Sequence, residues 1–543
     1  MAVSGRLHLC TPIHNRVGSR HSEGFLIMVC QSFPQWLDSR GAHGIPGLSE
    51  AGTNLLFRPY GYVLGLVVLV IGCSIWGLVT GQPEVIVWLT LGYLAYEISL
   101  TLFLFVATAL GIAAWQRGYR PPCPEAAHPV SVLIAAHNEA DCILETLTSV
   151  FGQVGVVPEV IVASDGSTDG MNEMLIRTFG LTAVDGQERW CGEVPRVDTA
   201  PARLTLLALP KVGKGAALNA GLRVAEAERL VTLDADTLLA PRALLELAAT
   251  FEDGVTVAAG GFIYVRGAAG GPWMVRHQYL EFFRNFMWRI GLAHCGVCLQ
   301  VSGAFGAFRT AALREVGGFS EATLVEDYEI IYRLHEVYQR LGRVYAVRVA
   351  PAAVAYTDAP RTPWAFVKQR TRWFAGFLNT LWDYRRMIGA PSYRAIGCFM
   401  LPVKVVDALL PIWGITSLFI LVGAFLFGRE QWRWYAVALF GAKWLYDLVL
   451  TGLLVSLHER TFPGRPLSLG RARLVLTILT EAIGFHWFRQ AAVLNAYRWF
   501  GFGIRRWEQA RWQPAGGKPP VRTAAPALSW LGFGKRQQDH SQP

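Results

Sequence analysis

Two uncharged stretches close together near the N-terminal end set the first constraint on how this chain can fold. Tyr60 to Thr80 carries no charge over about twenty residues, long enough to cross a bilayer as a helix. After a Gly81-Gln82-Pro83 turn, Val85 to Trp115 is a second apolar run, interrupted only by Glu97. In lipid such a run must satisfy its own backbone hydrogen bonds, so each is expected to be a helix. Met400 to Phe427 and Trp434 to Leu457 have the same length and character. Charged residues make up only 17% of the chain, against about a quarter in ordinary soluble proteins. The deficit falls in these runs, whereas Val130 to Thr362 reads like a soluble α/β domain. The first turn holds no Lys or Arg, but Arg117 and Arg120 follow the second run. Positive residues stay inside, so the turn is expected outside and the central domain on the cytoplasmic side of a cell membrane.

This pattern divides the chain into an N-terminal segment at 1–59, two transmembrane helices at 60–116 and a cytoplasmic domain at 128–362. Interfacial helices follow at 363–398, then C-terminal transmembrane and interfacial helices at 399–500, and a basic tail at 501–543. The first segment is rich in Gly, Ser, Arg and His without periodicity, and is expected to be disordered or an over-long translation start, with Met28 as an alternative beginning. From Pro363 onward Trp, Arg and Tyr mix with aliphatics, the composition of helices lying at a membrane surface. Leu474 to Trp499 contains Glu481, His486 and Arg489 and precedes a basic tail, so it is expected to be re-entrant or interfacial. The net charge of +10 comes mostly from Arg beside the apolar segments and suits an anionic lipid surface. No run of basic residues interleaved with aromatics marks the central domain, so nucleic acid is not an expected partner. Cys295 and Cys298 form one CxxC beside His294, but no second pair follows at zinc-site spacing, so half-buried thiols are expected.

Within the central domain strand-like and helix-like pieces alternate. Strands are expected at Val130–Ala136, Val157–Ala163, Leu204–Leu209 and Leu230–Leu233. Helices are expected at Glu139–Phe151, Thr168–Phe179 and Gly215–Ala227. That alternation predicts a mostly parallel sheet with helices on both faces, and ligands on such sheets sit at the carboxyl ends of the strands.

The candidate chemistry lies at those ends. The first strand runs into Asn138 and Glu139, and the second into Ser164-Asp165-Gly166-Ser167, a polar pocket suited to a base and its sugar, although an Asp-Gly-Ser run alone is an ordinary turn. The strand ending at Leu233 continues as Asp234-Ala235-Asp236-Thr237, two carboxylates able to share a divalent cation that bridges a diphosphate; a capped turn before Pro241 is the plain alternative. Lys214 opens a helix, where a cation and free N–H groups favour an anionic phosphate. Glu326 and Asp327 start an amphipathic helix. Adjacent acids point apart, so one is expected to face the sheet, where a partly desolvated Asp can take the proton of an attacking hydroxyl. In Gln369-Arg370-Thr371-Arg372-Trp373 an Arg can fork a diphosphate and a Trp can stack on a sugar; an interfacial anchor uses the same residues.

Taken in order, Asp-Gly-Ser, Asp-x-Asp, Glu-Asp and Gln-x-x-Arg-Trp resemble the family 2 membrane glycosyltransferases, a group that includes cellulose, chitin, hyaluronan and poly-N-acetylglucosamine synthases. The resemblance covers about Val130 to Asn379 and is strongest to the poly-N-acetylglucosamine and cellulose-synthase-like enzymes. It implies a GT-A-type nucleotide-sugar domain, a UDP-sugar donor, a growing glycan or lipid acceptor, and Mg²⁺ or Mn²⁺. It further implies Asp165 at the uridine, Asp234 and Asp236 at the metal and diphosphate, and Asp327 as the general base. Gln369, Arg372 and Trp373 would hold the diphosphate and acceptor, with Ser302–Gly306 along the acceptor side. Two positions depart from the family pattern: Ser164 stands where the first acid of Asp-Asp-Gly-Ser is common, and Val325 where many members carry Thr. No room is expected after Trp499 for a cyclic-dinucleotide sensor, so such control would come from an accessory subunit.

Three readings follow. A processive synthase would polymerise and export a β-linked polysaccharide, with Lys404, Asp407, Lys443 and Asp447 along a hydrated path. A non-processive enzyme would add one sugar to a lipid. A transporter or scaffold that only senses a nucleotide would use none of the chemistry.

Overall fold

The structure, a computed structural model, describes residues 84–505 except 124–128, 185–187, 197–198, 428–429, 463–464, 466 and 468. The expected helix at Tyr60–Thr80, the segment at 1–59 and most of the tail lie outside the described residues.

The chain enters through α1 (Glu84–Gly118) and then builds a ten-stranded sheet. The elements run β1 (Val130–Ala136), α2 (Ile143–Phe151), β2 (Pro158–Asp165), α3 (Met171–Phe179), β3 (Thr182–Ala183), β4 (Arg189–Arg196), β5 (Thr199–Leu209) and α4 (Lys214–Val224). They continue with β6 (Arg229–Asp234), β7 (Leu238–Leu239), α5 (Ala243–Ala249), β8 (Thr256–Val265), α6 (Trp273–His294), β9 (Phe305–Arg309), α7 (Thr310–Glu315), α8 (Glu326–Arg340) and β10 (Ala346–Thr357). Strand order is β3-β4-β5-β2-β1-β6-β9-β8-β10-β7. Parallel pairing joins β5, β2, β1 and β6, and β8 to β10. The other five pairings are antiparallel, so the sheet is mixed rather than mostly parallel. The expectation failed because β4 folds back on β5 as a hairpin and β9 inserts antiparallel between β6 and β8.

Helices do cover both faces. In α2 the buried Ile143, Thr146, Leu147 and Val150 recur at helical spacing and pack with α3, α5 and α6 on one side. On the other face α4, α7 and α8 bury Leu218, Leu313, Ile330 and Leu334. Strands sandwiched this way read as continuous aliphatic runs: Val132, Leu133 and Ile134 are all fully buried. Helix α4 crosses β1 so closely that a Cβ on Gly221 would lie 2.1 Å from a methyl of Leu133. Gly221→Ala is therefore expected to destabilise the domain by about 1–3 kcal/mol through overpacking, read as a lowered thermal midpoint.

Beyond β10, Thr362 caps α9 (Pro363–Asp383), its Oγ1 accepting from the Ala365 amide at 3.3 Å, with Pro363 at the first helical position. The expected single span from Met400 is broken: a π-helical turn at Ile396–Met400 leads into α10 (Leu401–Asp407), and α11 (Leu410–Phe427) starts anew with Pro411 in its first turn. Helix α12 (Glu430–Thr461) follows, then α13 (Arg471–Thr480), a π-helical turn at Glu481–Phe485 and α14 (His486–Gly501), which runs back along α9. Among the described residues two helical stretches are long and apolar enough to cross a membrane, 91–118 in α1 and 433–461 in α12. Lys443 of α12 joins them through Glu97 of α1, 2.9 Å away. The 471–501 stretch is not one of these.

Candidate active site

The parallel strands β1, β2 and β6 end side by side, and their carboxyl ends open onto the N-termini of α4 and α8. A cavity of about 640 Å³ begins there and extends between α6 and α9 toward α1, α10 and α14.

Four charged side chains cluster at the strand-end side of this cavity. Lys214 donates to Asp234 at 2.9 Å and lies 3.0 Å from Glu326. Burial alone would lower the lysine pKa, but Asp234, Glu326 and Asp327 outweigh it and hold the ammonium charged well above its usual range. Asp327, in the first turn of α8, accepts from the Gly303 amide at 2.8 Å and from its own neighbour's amide, Tyr328 N, at 3.0 Å. Burial first, and Glu326 second, push its carboxyl up, against the pull of Lys214 and the Gly303 N–H. Both acids thus line the cavity, contrary to the expectation that only one would face the sheet: Glu326 turns to Lys214 and Asp327 to Gly303. A Cβ on Gly303 would lie 3.1 to 3.3 Å from the Asp327 side chain. Gly303→Ala is expected to cut kcat about 10- to 100-fold by displacing that carboxylate, with the thermal midpoint nearly unchanged.

Asp236 stands beside this cluster. Thr237 and Thr357 each donate to its Oδ1 at 3.3 Å. Burial, then Asp234, Glu139 and Asp358, push its carboxyl up to about 6. Carboxylates crowded in this way gain from a cation. Among the described residues no cluster of three His, Cys, Asp or Glu is disposed to cage a metal. A hard divalent ion held by one or two carboxylates, with the remaining positions left to phosphate and water, suits Asp234 and Asp236.

On the opposite wall Gln369, Arg370, Arg372 and Trp373 of α9 face α6. Arg370 is buried, donates to Glu281 at 2.6 Å and stacks 4.1 Å from the Trp373 ring centre, which fixes the indole against the cavity. Arg372 donates to the Leu324 carbonyl at 3.0 Å, and so reaches the loop that leads into α8. The remaining three sequence-predicted residues do not line the cavity. Asp165 turns toward the start of α4, accepting from the amides of Val212 and Gly213 at 2.7 and 2.9 Å and from Lys211 at 2.6 Å. Burial would raise its carboxyl, but these donors hold it below the usual range. Asn138, at φ 58°, accepts from the Thr168 amide at 2.8 Å and ties the β1 and β2 end loops together. Glu139 accepts from the Cys142 thiol at 3.2 Å.

Sequence reasoning missed the α6 wall, where Glu281, Asn285 and Arg289 line the cavity. Burial depresses the Arg289 pKa and Asp327 sits in its field, with no carboxylate in salt-bridge contact among the described residues. Lys404 and Asp407 also line the cavity and pair with each other at 2.8 Å, whereas Lys443 pairs with Asp447 at 2.6 Å outside it.

Comparison with known proteins places this arrangement. Residues 131–317 match the profile described as glycosyl transferase family 2, and residues 230–490 that of glycosyl transferase family group 2. The chain carries family 2 glycosyltransferase domains and is a glycosyltransferase. This glycosyltransferase is 26% identical over 252 residues to the poly-beta-1,6-N-acetyl-D-glucosamine synthases of Staphylococcus epidermidis and Staphylococcus aureus, covering 46% of this chain and 54% of theirs. The chain thus matches about half the length of those curated relatives. A mannosyltransferase from Pyrobaculum calidifontis, solved with GDP-Man and Mn²⁺, aligns with a TM-score of 0.50 at 18% identity, over 77% of this chain and 100% of that one. At that identity the likeness concerns the fold, a GT-A-like mixed sheet flanked by helices.

Proposed function

We propose that this glycosyltransferase is a membrane-embedded synthase that draws a UDP-sugar from the cytoplasm and polymerises a β-linked polysaccharide of the poly-N-acetylglucosamine or β-glucan type, passing it outward. The observation that carries this reading is the single cavity in which Asp327 and the Lys214–Asp234–Glu326 cluster share walls with Arg372 and Trp373. Asp234 and Asp236 would hold Mg²⁺ or Mn²⁺, which when bound neutralises charge on the leaving diphosphate. Lys214 and Arg372 would bind phosphate oxygens, Gln369 and Trp373 the acceptor end, and the strand-end loops carrying Asn138, Glu139 and Asp165 the nucleoside. Asp165 would act there by fixing the Lys211–Gly213 loop as well as by contact.

Asp327 supplies the proton step. The acceptor hydroxyl attacks the anomeric carbon as the bond to the diphosphate breaks, and its proton passes to the Asp327 carboxylate. One base and in-line attack invert the centre, giving a β-linkage from an α-linked donor. The two long apolar helices and the reach of the cavity to Tyr93 and Glu97 of the first support the membrane part of the proposal.

Single-sugar transfer to a lipid acceptor is the second reading, and Arg289 favours it, because a guanidinium lining the cavity with no salt-bridged carboxylate among the described residues suits a lipid phosphate. Purified protein supplied separately with radiolabelled UDP-glucose and UDP-N-acetylglucosamine decides between them. A polymer cut by a linkage-specific β-hydrolase is the expected product, and a lipid-extractable product one sugar long would overturn the synthase reading.

A further inference from the structure

A second, shallower cavity of about 320 Å³ lies well away from the catalytic carboxylates, where the first turns of α6 meet α13. Its walls are Trp273, Leu476, Thr477 and Gly484. The floor is rigid: His277 is buried, bonded through Nδ1 to the Trp273 carbonyl at 2.7 Å and through Nε2 to Thr480 Oγ1 at 3.2 Å, and stacked on Phe485 at 5.2 Å. Arg276 and Arg473 stand at the rim. Arg473 donates to the Ala269 carbonyl, and among the described residues no carboxylate forms a salt bridge with either arginine. Two guanidiniums at the mouth of an apolar groove leave a positive charge uncompensated. The same helical run continues the apolar surface outward, with Leu476 56%, Leu479 37% and Trp487 43% exposed. A soluble surface rarely strings large apolar side chains together like this.

We propose that this groove binds an anionic membrane phospholipid, its phosphate between Arg276 and Arg473 and the upper part of one acyl chain against Trp273 and Leu476. Apolar side chains below and arginines above match the boundary between acyl chains and an anionic headgroup layer. The bound lipid would fix α13 at the bilayer surface and, through Phe485 packed on Phe366 of α9, brace the helix that carries Gln369 to Trp373. The proposal rests on the membrane reading above, and the two are tested apart.

The full chain is expressed and its membrane fraction washed with alkaline carbonate. Recovery of the protein in the soluble wash would overturn the membrane reading and the lipid site with it. Protein retained in the membrane is then purified in an uncharged detergent and challenged with phosphatidylglycerol or phosphatidylcholine, with bound lipid counted by native mass spectrometry. Wild type is expected to retain phosphatidylglycerol preferentially. Arg276→Ala with Arg473→Ala should weaken it about thirtyfold, or about 2 kcal/mol for two basic contacts. Arg473 is exposed, so Arg473→Glu alone keeps the fold and should abolish the preference, whereas the double lysine replacement should keep it. Equal retention of the two lipids by wild type, or a preference that survives Arg473→Glu, overturns the site.

Discussion

Asp327→Asn is expected to lower kcat by about 10³-fold with little change in KM for the nucleotide-sugar, because general-base catalysis contributes about 10² to 10⁴. Asparagine matches the shape and its amide oxygen can still accept from the Gly303 N–H, but it cannot take a proton. The fold should survive. Burial and the neighbouring Glu326 both disfavour the Asp327 charge, so removing it relieves more repulsion than it creates. A pH profile adds a check with a definite sign. The base works only when ionised and its carboxyl is raised, so the wild-type rate should fall on an acid limb above the usual carboxylate range, and the residual rate of the variant should lack that limb. Transfer at more than a tenth of the wild-type rate would remove Asp327 from the chemistry.

Which parts of this site could be read from the sequence follows from what each residue contacts. The strand-end acids were legible because β1, β2 and β6 are buried on both faces and so appear as aliphatic runs that stop at polar residues. Lys214, Asp234 and Glu326 meet because α4 and α8 both start at that edge. The antiparallel half was not legible. Strand β8 is buried throughout and contains Gly260 and Gly261, a pattern that periodicity cannot separate from a buried helix or turn. Helix α6 escaped notice because its arginines and aromatics do not segregate to opposite faces. Nine such residues would have had to be assigned without contrast, yet Gly271-Pro272 before it and Gly296 after it bound a run free of proline, the one local signal available. Arg370 could have been found from its spacing three residues before Trp373, which puts guanidinium and indole on one helix face. The orientation of Asp165 could not, since it depends on two amides and a lysine that arrive from some 46 to 48 residues further along the chain.

The acids at the end of β6 set a conflict between stability and function that a second substitution exposes. In the absence of a divalent cation, Asp236→Asn is expected to raise the thermal midpoint at pH 8 while abolishing transfer. The Asp236 carboxyl goes from 3.8 in the open chain to about 6 in the fold. Between those values the folded state holds a proton that the unfolded state releases, so stability falls as pH rises through that window and the cost is complete above it. At about 1.4 kcal/mol per pH unit the cost is on the order of 1–3 kcal/mol at pH 8. Asparagine removes it, and the gain should shrink toward pH 4, where aspartate is neutral in the fold as well. Mn²⁺ should raise the wild-type midpoint with concentration, since a ligand that binds only the folded state stabilises it by mass action, and should leave the variant unmoved. Activity should drop by at least about 10²-fold, because the leaving diphosphate loses a charge-neutralising partner. A variant that matches wild type in midpoint and still responds to Mn²⁺ would show that the cation, if used at all, binds elsewhere than Asp236. Repulsion among Asp234, Asp236, Glu139 and Asp358 would then need another compensating charge, and Lys214, already shared between Asp234 and Glu326, is poorly placed to provide it.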